Sequence, residues 1–172
     1  MTEGKCEEAL LNLLLERGLL IYNFEDLLYE TIFHERQIKQ STVEKINQLP
    51  YTEKITIIRV GDKLSDKLSI PKEIKNRIIE CVKLCIKPEF EILHIINEGK
   101  LKEYEKVKSS MKPCEFIHEF LKNYRKTYEY NYDYFNNFSN PKLIELIKKY
   151  SNKRSGTHQT DEKELLDYLK EW

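Results

Sequence analysis

The sequence predicts a small α/β domain, a short sheet flanked by helices, with a helix-rich C-terminal half. Three observations predict it. Ile55, Ile57, Ile58 and Val60 form a nearly continuous β-branched run, which suits a strand covered on both faces. Apolar residues recur at helical spacing before and after that run. The chain holds only 5 glycines in 172 residues, and they fall between these segments, where they punctuate helices and strands.

Taken in order, residues 7–17 read as a helix with Ala9, Leu10, Leu13 and Leu14 on its apolar face and Gly18 as its stop. Leu19 to Phe24 reads as a short strand, and Glu25 to Glu30 as a helical turn. The polar segment 34–48 holds one helix with Ile38, Val43 and Ile46. The strand Lys54 to Val60 ends at Gly61 and Asp62. Pro71 fits the first turn of a helix carrying Ile74, Ile78, Ile79, Val82 and Ile86. Helices follow over Glu89 to Asn97, Leu101 to Lys108, from Pro113 through Leu121, and from Pro141 through Ile147. Residues 151–160 read as a basic loop, and Asp161 to Trp172 as a terminal helix. Without a repeat or a flexible linker, residues 1–172 form one domain.

Lys and Arg number 29, as do Asp and Glu, so net charge is zero and no global field draws the chain to nucleic acid. Phosphate contact would need a local patch. No stretch approaches the about eighteen apolar residues of a membrane span, and no basic-then-apolar signal opens the chain, so a cytoplasmic protein without membrane attachment is expected. Cys6, Cys81, Cys85 and Cys114 form no CxxC pair and read as reduced thiols. Cys81 and Cys85, four apart on the expected helix, read as small buried residues.

Acidic residues offer the first chemistry. Glu3, in the step Glu3-Gly4-Lys5, precedes the first helix, and Asp62 ends the clearest strand, where ligands of open α/β sheets sit. Glu7, Asp66, Glu89 and Glu91 complete the set. Carboxylates that converge on Mg²⁺ let the metal activate water and offset phosphate charge. The same glutamates would equally serve to stabilise helix starts.

Glu3-Gly4-Lys5 followed by Glu7 resembles the glutamate-glycine motif of Toprim domains, shared by topoisomerases, primases and overcoming-lysogenization-defect nucleases. Ile55 to Val60 with Gly61-Asp62 resembles the later strand that ends in that family's Asp-x-Asp. Lys87-Pro88-Glu89-Phe90-Glu91 resembles the Pro-x-Phe-Glu segment of small Toprim-like proteins of bacterial defence loci. The resemblance implies a Toprim-like core over about residues 1–100 with a helical C-terminal extension. It implies a nuclease dependent on Mg²⁺ or Mn²⁺, acting on nucleic-acid phosphodiesters in phage defence. Glu3, Asp62 and Glu91 would be catalytic, and Glu3, Asp62 and Glu89 metal-binding. Two departures stand out: the second acid of Asp-x-Asp falls on Leu64, and only Met1 and Thr2 precede Glu3 as a first strand. A non-catalytic interaction subunit on this fold, working with a larger partner such as an ATPase, is the alternative; assembly into a homo-oligomer is a separate expectation.

Three further constellations are weighed. Glu91-x-x-His94 and Glu115-x-x-His118 have the spacing of a di-iron bundle, but Gly99 and Pro113 cut these helices short, and His94 among Ile92, Leu93, Ile95 and Ile96 reads as a core histidine. Lys153, Arg154 and His158, near Ser155, Gly156 and Thr157, are candidate phosphate contacts, set against an exposed loop. The tyrosines of 124–138 would stack bases or, as is commoner, pack over a core or interface.

Overall fold

The computed structural model describes residues 1–62, 67–154 and 161–171. Among the described residues the regular elements run in the order α1 (Lys5–Glu16), α2 (Gln40–Gln48), β1 (Ile55–Gly61), β2 (Ile78–Cys85), α3 (Glu91–Asn97), α4 (Leu101–Val107), α5 (Pro113–Phe116), α6 (Tyr128–Asn136), α7 (Asn140–Arg154) and β3 (Glu162–Lys163). Short 3₁₀ turns occur at Phe24–Asp26, Leu28–Glu30, Lys72–Arg77, Ile117–Glu119 and Leu165–Tyr168.

The sheet has the order β1-β2-β3, all parallel. Its other edge is extended by single bridges. Thr2 pairs in parallel with Val60 on one side and His34 on the other. The Glu3 amide donates to the Val60 carbonyl at 3.0 Å, and the Val60 amide to the Met1 carbonyl at 2.8 Å. The first strand is therefore present in minimal form, and Glu3 sits at its carboxyl end. Because every pairing is parallel, the carboxyl ends of these segments lie on one side of the sheet.

The pleat divides β1 between two cores. Val60, with Ile58 beside it, faces the large cluster built from α1, α3, α6 and α7, which includes Leu13, Leu14, Leu93, Phe135 and Leu143. Ile55 packs on the smaller cluster of Val43, Ile46 and Ile74. Arg77 closes this second core. Buried, its guanidinium donates to the carbonyls of Ile46 at 2.5 Å and Pro50 at 2.7 Å, which ties the end of α2 to the start of β2.

Several expectations are corrected. The segment expected as a helix from Pro71 to Ile86 forms a 3₁₀ turn and then β2. Short apolar runs fit both periods, and here the β-branched Ile78, Ile79 and Val82 go to the strand, where their stiff χ1 costs least. Cys81 and Cys85 therefore share a strand, with Cys81 exposed and Cys85 buried. Leu19 to Phe24 is not a strand: only Leu20 bridges, to Leu169, before the turn at Phe24. The expected terminal helix is β3 followed by the turn Leu165–Tyr168, because pairing with β2 and with Leu20 claims this backbone. Residues 151–154 continue α7 instead of opening a loop. α6 forms in the aromatic stretch, for which no helix was expected; the remaining helices form where expected, and Gly18 and Gly99 take positive φ of 62° and 69° where α1 and α3 end.

Candidate acidic site at the strand ends

Two glycines make room for two carboxylates. Glu7 lies in the first turn of α1 and folds back over Gly4, so closely that a Cβ on Gly4 would sit 2.0 Å from Glu7 Oε2. Glu3 lies across Gly61, where a Cβ would meet its Cγ, Cδ and Oε2 at 3.0 Å. The Glu-Gly step and the Gly-Asp step thus share one function: each removes a side chain from the path of an acid. Asp62 follows Gly61 directly.

Glu7 lies within the electrostatic reach of Asp62 and Glu91. Burial pushes the Glu7 carboxyl above the usual carboxylate range, the Asp62 and Glu91 charges push it the same way, and its own backbone N–H and Lys126 oppose them. These acids place negative charge at this edge. Three cations of the chain offset part of it. Buried Arg59 donates to Glu3 Oε1 at 3.2 Å, and Arg36 Nε lies 3.9 Å from the same oxygen. Lys126, from the segment before α6, ion-pairs with Glu91. Burial acts to lower the Lys126 pKa, but the Glu91 carboxylate more than offsets it, so the ammonium is held charged.

Behind the acids lies a buried polar layer that spacing alone did not disclose. The Tyr124 hydroxyl, beside Glu91 and Cys6, makes no hydrogen bond of regular geometry, and burial pushes its pKa up. The Cys6 thiol is pushed up to about 12 by burial and by Glu7 and Glu91, so it stays protonated and is no nucleophile. Asn131 of α6 donates to Cys6 Sγ at 3.3 Å and to the Thr127 carbonyl at 2.7 Å. These residues come from α1, α3, the segment before α6 and α6 itself, and only packing reveals that they meet.

The remaining candidates distribute as follows. Glu89 acts on Lys126 and Tyr104, outside the Glu7–Asp62 pair. Lys153 reaches Glu105 of α4 at 2.7 Å rather than any strand-end acid, and Arg154 is the last residue of α7. Leu64, Asp66 and His158 lie outside the described residues. His94 is a core histidine, ringed by Tyr134, Phe135 and Tyr124 with centroids at 4.5, 5.0 and 5.1 Å. The tyrosines of α6 are engaged inside the fold: Tyr132 bonds to Glu16, Tyr134 to Glu98 at 2.6 Å, and Tyr128 accepts from Asn12 at 3.2 Å.

The raised Glu7 pKa has a measurable consequence. The folded state holds this proton more tightly than the unfolded chain, so stability falls as pH rises from the ordinary carboxylate value through the raised one. Glu7→Gln removes that fall. Thermal unfolding across pH 4 to 8 should show the variant gaining on the wild type as pH rises through that window; parallel curves would show that Glu7 carries no such strain.

Among the described residues, no group of three His, Cys, Asp or Glu side chains is arranged to hold a metal ion. Mg²⁺ does not require such a cage. It keeps several waters and takes one or two carboxylates with substrate phosphate. Glu7 and Asp62 are hard-oxygen donors near enough for the Asp62 charge to push the Glu7 carboxyl up, which fits that mode. Among the described residues, no helix is long and apolar enough to cross a membrane. No protein-family model, curated protein or solved structure matches the chain.

Proposed function

We propose that the chain is a Toprim-like nuclease that hydrolyses nucleic-acid phosphodiesters at this strand-end edge with Mg²⁺ or Mn²⁺. The observation that supports it most is that Glu3, Glu7, Asp62 and Glu91, from separate stretches of sequence, gather where parallel strands end, the place at which open α/β sheets take ligands. Asp62 and Glu7 would hold the metal, whose chemistry is to activate water and offset phosphate charge. Arg59 holds Glu3 in place across Gly61. Lys126 limits the repulsion among the acids by neutralising Glu91.

A second reading, a non-catalytic interaction subunit on this fold serving a larger partner such as an ATPase, is favoured by one observation: Glu3 and Glu91 are both already paired with cations of the chain. Metal-linked stability separates the two. A ligand that binds only the folded state stabilises it by about 2.7 kcal/mol at a hundred times its Kd. Under the nuclease reading, Mg²⁺ or Mn²⁺ raises the unfolding temperature in proportion to the logarithm of its concentration, and Asp62→Asn abolishes the rise. A wild type indifferent to both ions supports the interaction subunit.

A further inference from the structure

The two hydrophobic clusters leave a space between them. Under residues 22–33 lies a cavity of about 480 Å³, walled by Leu27, Ile32 and Phe33 above and by Ile46, Ile57 and Ile58 below. That volume falls within the roughly 300–1,000 Å³ of small-molecule sites. It lies by the amino-terminal half of β1, whereas the acids stand at its carboxyl end.

The lining specifies a chemistry. Three acidic residues, Glu25, Asp26 and Glu53, are among those that line it, and the Asp26 carboxylate accepts from the Asn23 amide at 2.7 Å. The only lysine in the lining, Lys54, donates to the Asn76 carbonyl at 2.9 Å. The Met1 amine also lines the space. It donates to the Ile58 carbonyl at 2.8 Å, and burial lowers its pKa to about 6, so it adds little positive charge at neutral pH. Tyr22, Tyr29 and Phe33 add aromatic rings. The chain shows what two of these ring faces accept: the Lys45 ammonium lies 5.5 Å from the Tyr29 centroid and 4.9 Å from that of Phe33. Tyr29 and Glu30, in the overlying segment, have successive φ values of 53° and 50°. Non-glycine residues hold that region only under constraint, and such strain gathers at ligand clamps. The Tyr29 hydroxyl, donating to Gln48 Oε1 at 2.5 Å, pins it over α2.

We propose that this cavity binds a small amphipathic organic cation, with an aryl or alkyl body between the two cores and an ammonium head among the carboxylates. The site is separate from the strand-end acids and does not depend on their function. Three probes share one body and differ in the head: phenethylammonium, phenethyl alcohol and hydrocinnamate, each titrated into the full chain by NMR. The ammonium should bind at least about tenfold tighter than the alcohol, and the carboxylate weakest. Glu25→Gln with Glu53→Gln should bring ammonium and alcohol together while leaving alcohol binding in place. Ile32→Trp should fill the space and weaken ammonium and alcohol alike. Equal affinity for the three heads, no saturable ammonium binding up to about 10 mM, or ammonium affinity unchanged in folded Ile32→Trp would each overturn the proposal.

Discussion

Lys126→Met is expected to destabilise the protein by about 3 kcal/mol, whereas Glu91→Gln costs far less, although both break the same ion pair. The asymmetry comes from where the partners sit. The Glu91 side chain is 3% exposed and that of Lys126 56%. Removing the lysine strands a carboxylate in a nearly dry site, next to the Tyr124 hydroxyl and within reach of Glu7. Removing the carboxylate leaves an ammonium that can turn to water. The double variant Glu91→Gln, Lys126→Met should recover most of the loss, because no buried charge remains. Chemical denaturation of the three variants measures the cycle. Equal losses for both single variants would mean that the pair is held by packing and not by the need to neutralise a buried acid.

Acid lability should trace largely to His94. Burial lowers its pKa from 6.5 to about 3, and the neighbouring Asn131 opposes this only weakly. Neither ring nitrogen has a hydrogen-bond partner of regular geometry. The sign follows from proton counts: below pH 6.5 the unfolded chain takes up a proton that the folded protein refuses until about pH 3. Stability is therefore complete above about 6.5 and is lost as pH falls toward 3. By pH 4 the loss is on the order of 3 kcal/mol. His94→Phe keeps an aromatic ring against Phe90, Tyr134 and Phe135 and removes the titration. It should unfold at the wild-type temperature or slightly below it at pH 7.5, and well above it at pH 4.5. A variant that tracks the wild type at both values would contradict this assignment.

What the sequence disclosed of this fold depended on how local each signal was. The β-branched run of β1, the stop at Gly18 and the helices begun at Pro113 and Pro141 are set by neighbouring residues, and they formed as expected. β2 was misread because Ile78, Ile79, Val82 and Ile86 satisfy a helical stripe as well as a strand. Only pairing with β1, Ile58 opposite Val82 and Val60 opposite Leu84, decides between them. Only Met1 and Thr2 precede Glu3, yet this stretch pairs with Val60 on one side and with the backbone at Phe33 and Glu35 on the other. In the site, Glu3 and Asp62 were legible from the glycines beside them, and Glu91 from its segment. Arg59 and Lys126 were not, since a lone basic residue carries no signal until its buried partner is placed. Glu89, expected to bind metal, sits instead near Lys126 and Tyr104, a side-chain direction that the spacing of Glu89 and Glu91 leaves open.

Phosphodiester cleavage tests the central claim most directly. Purified wild type, Asp62→Asn and Glu7→Gln are incubated with single- and double-stranded DNA and RNA in Mg²⁺, Mn²⁺ or EDTA. The acidic-edge account predicts cleavage by the wild type with a divalent ion, none in EDTA, and a loss of about a hundredfold or more in Asp62→Asn, with the variant still folded. A wild type that cuts no substrate with either ion, or an Asp62→Asn protein that cuts at the wild-type rate, would contradict it.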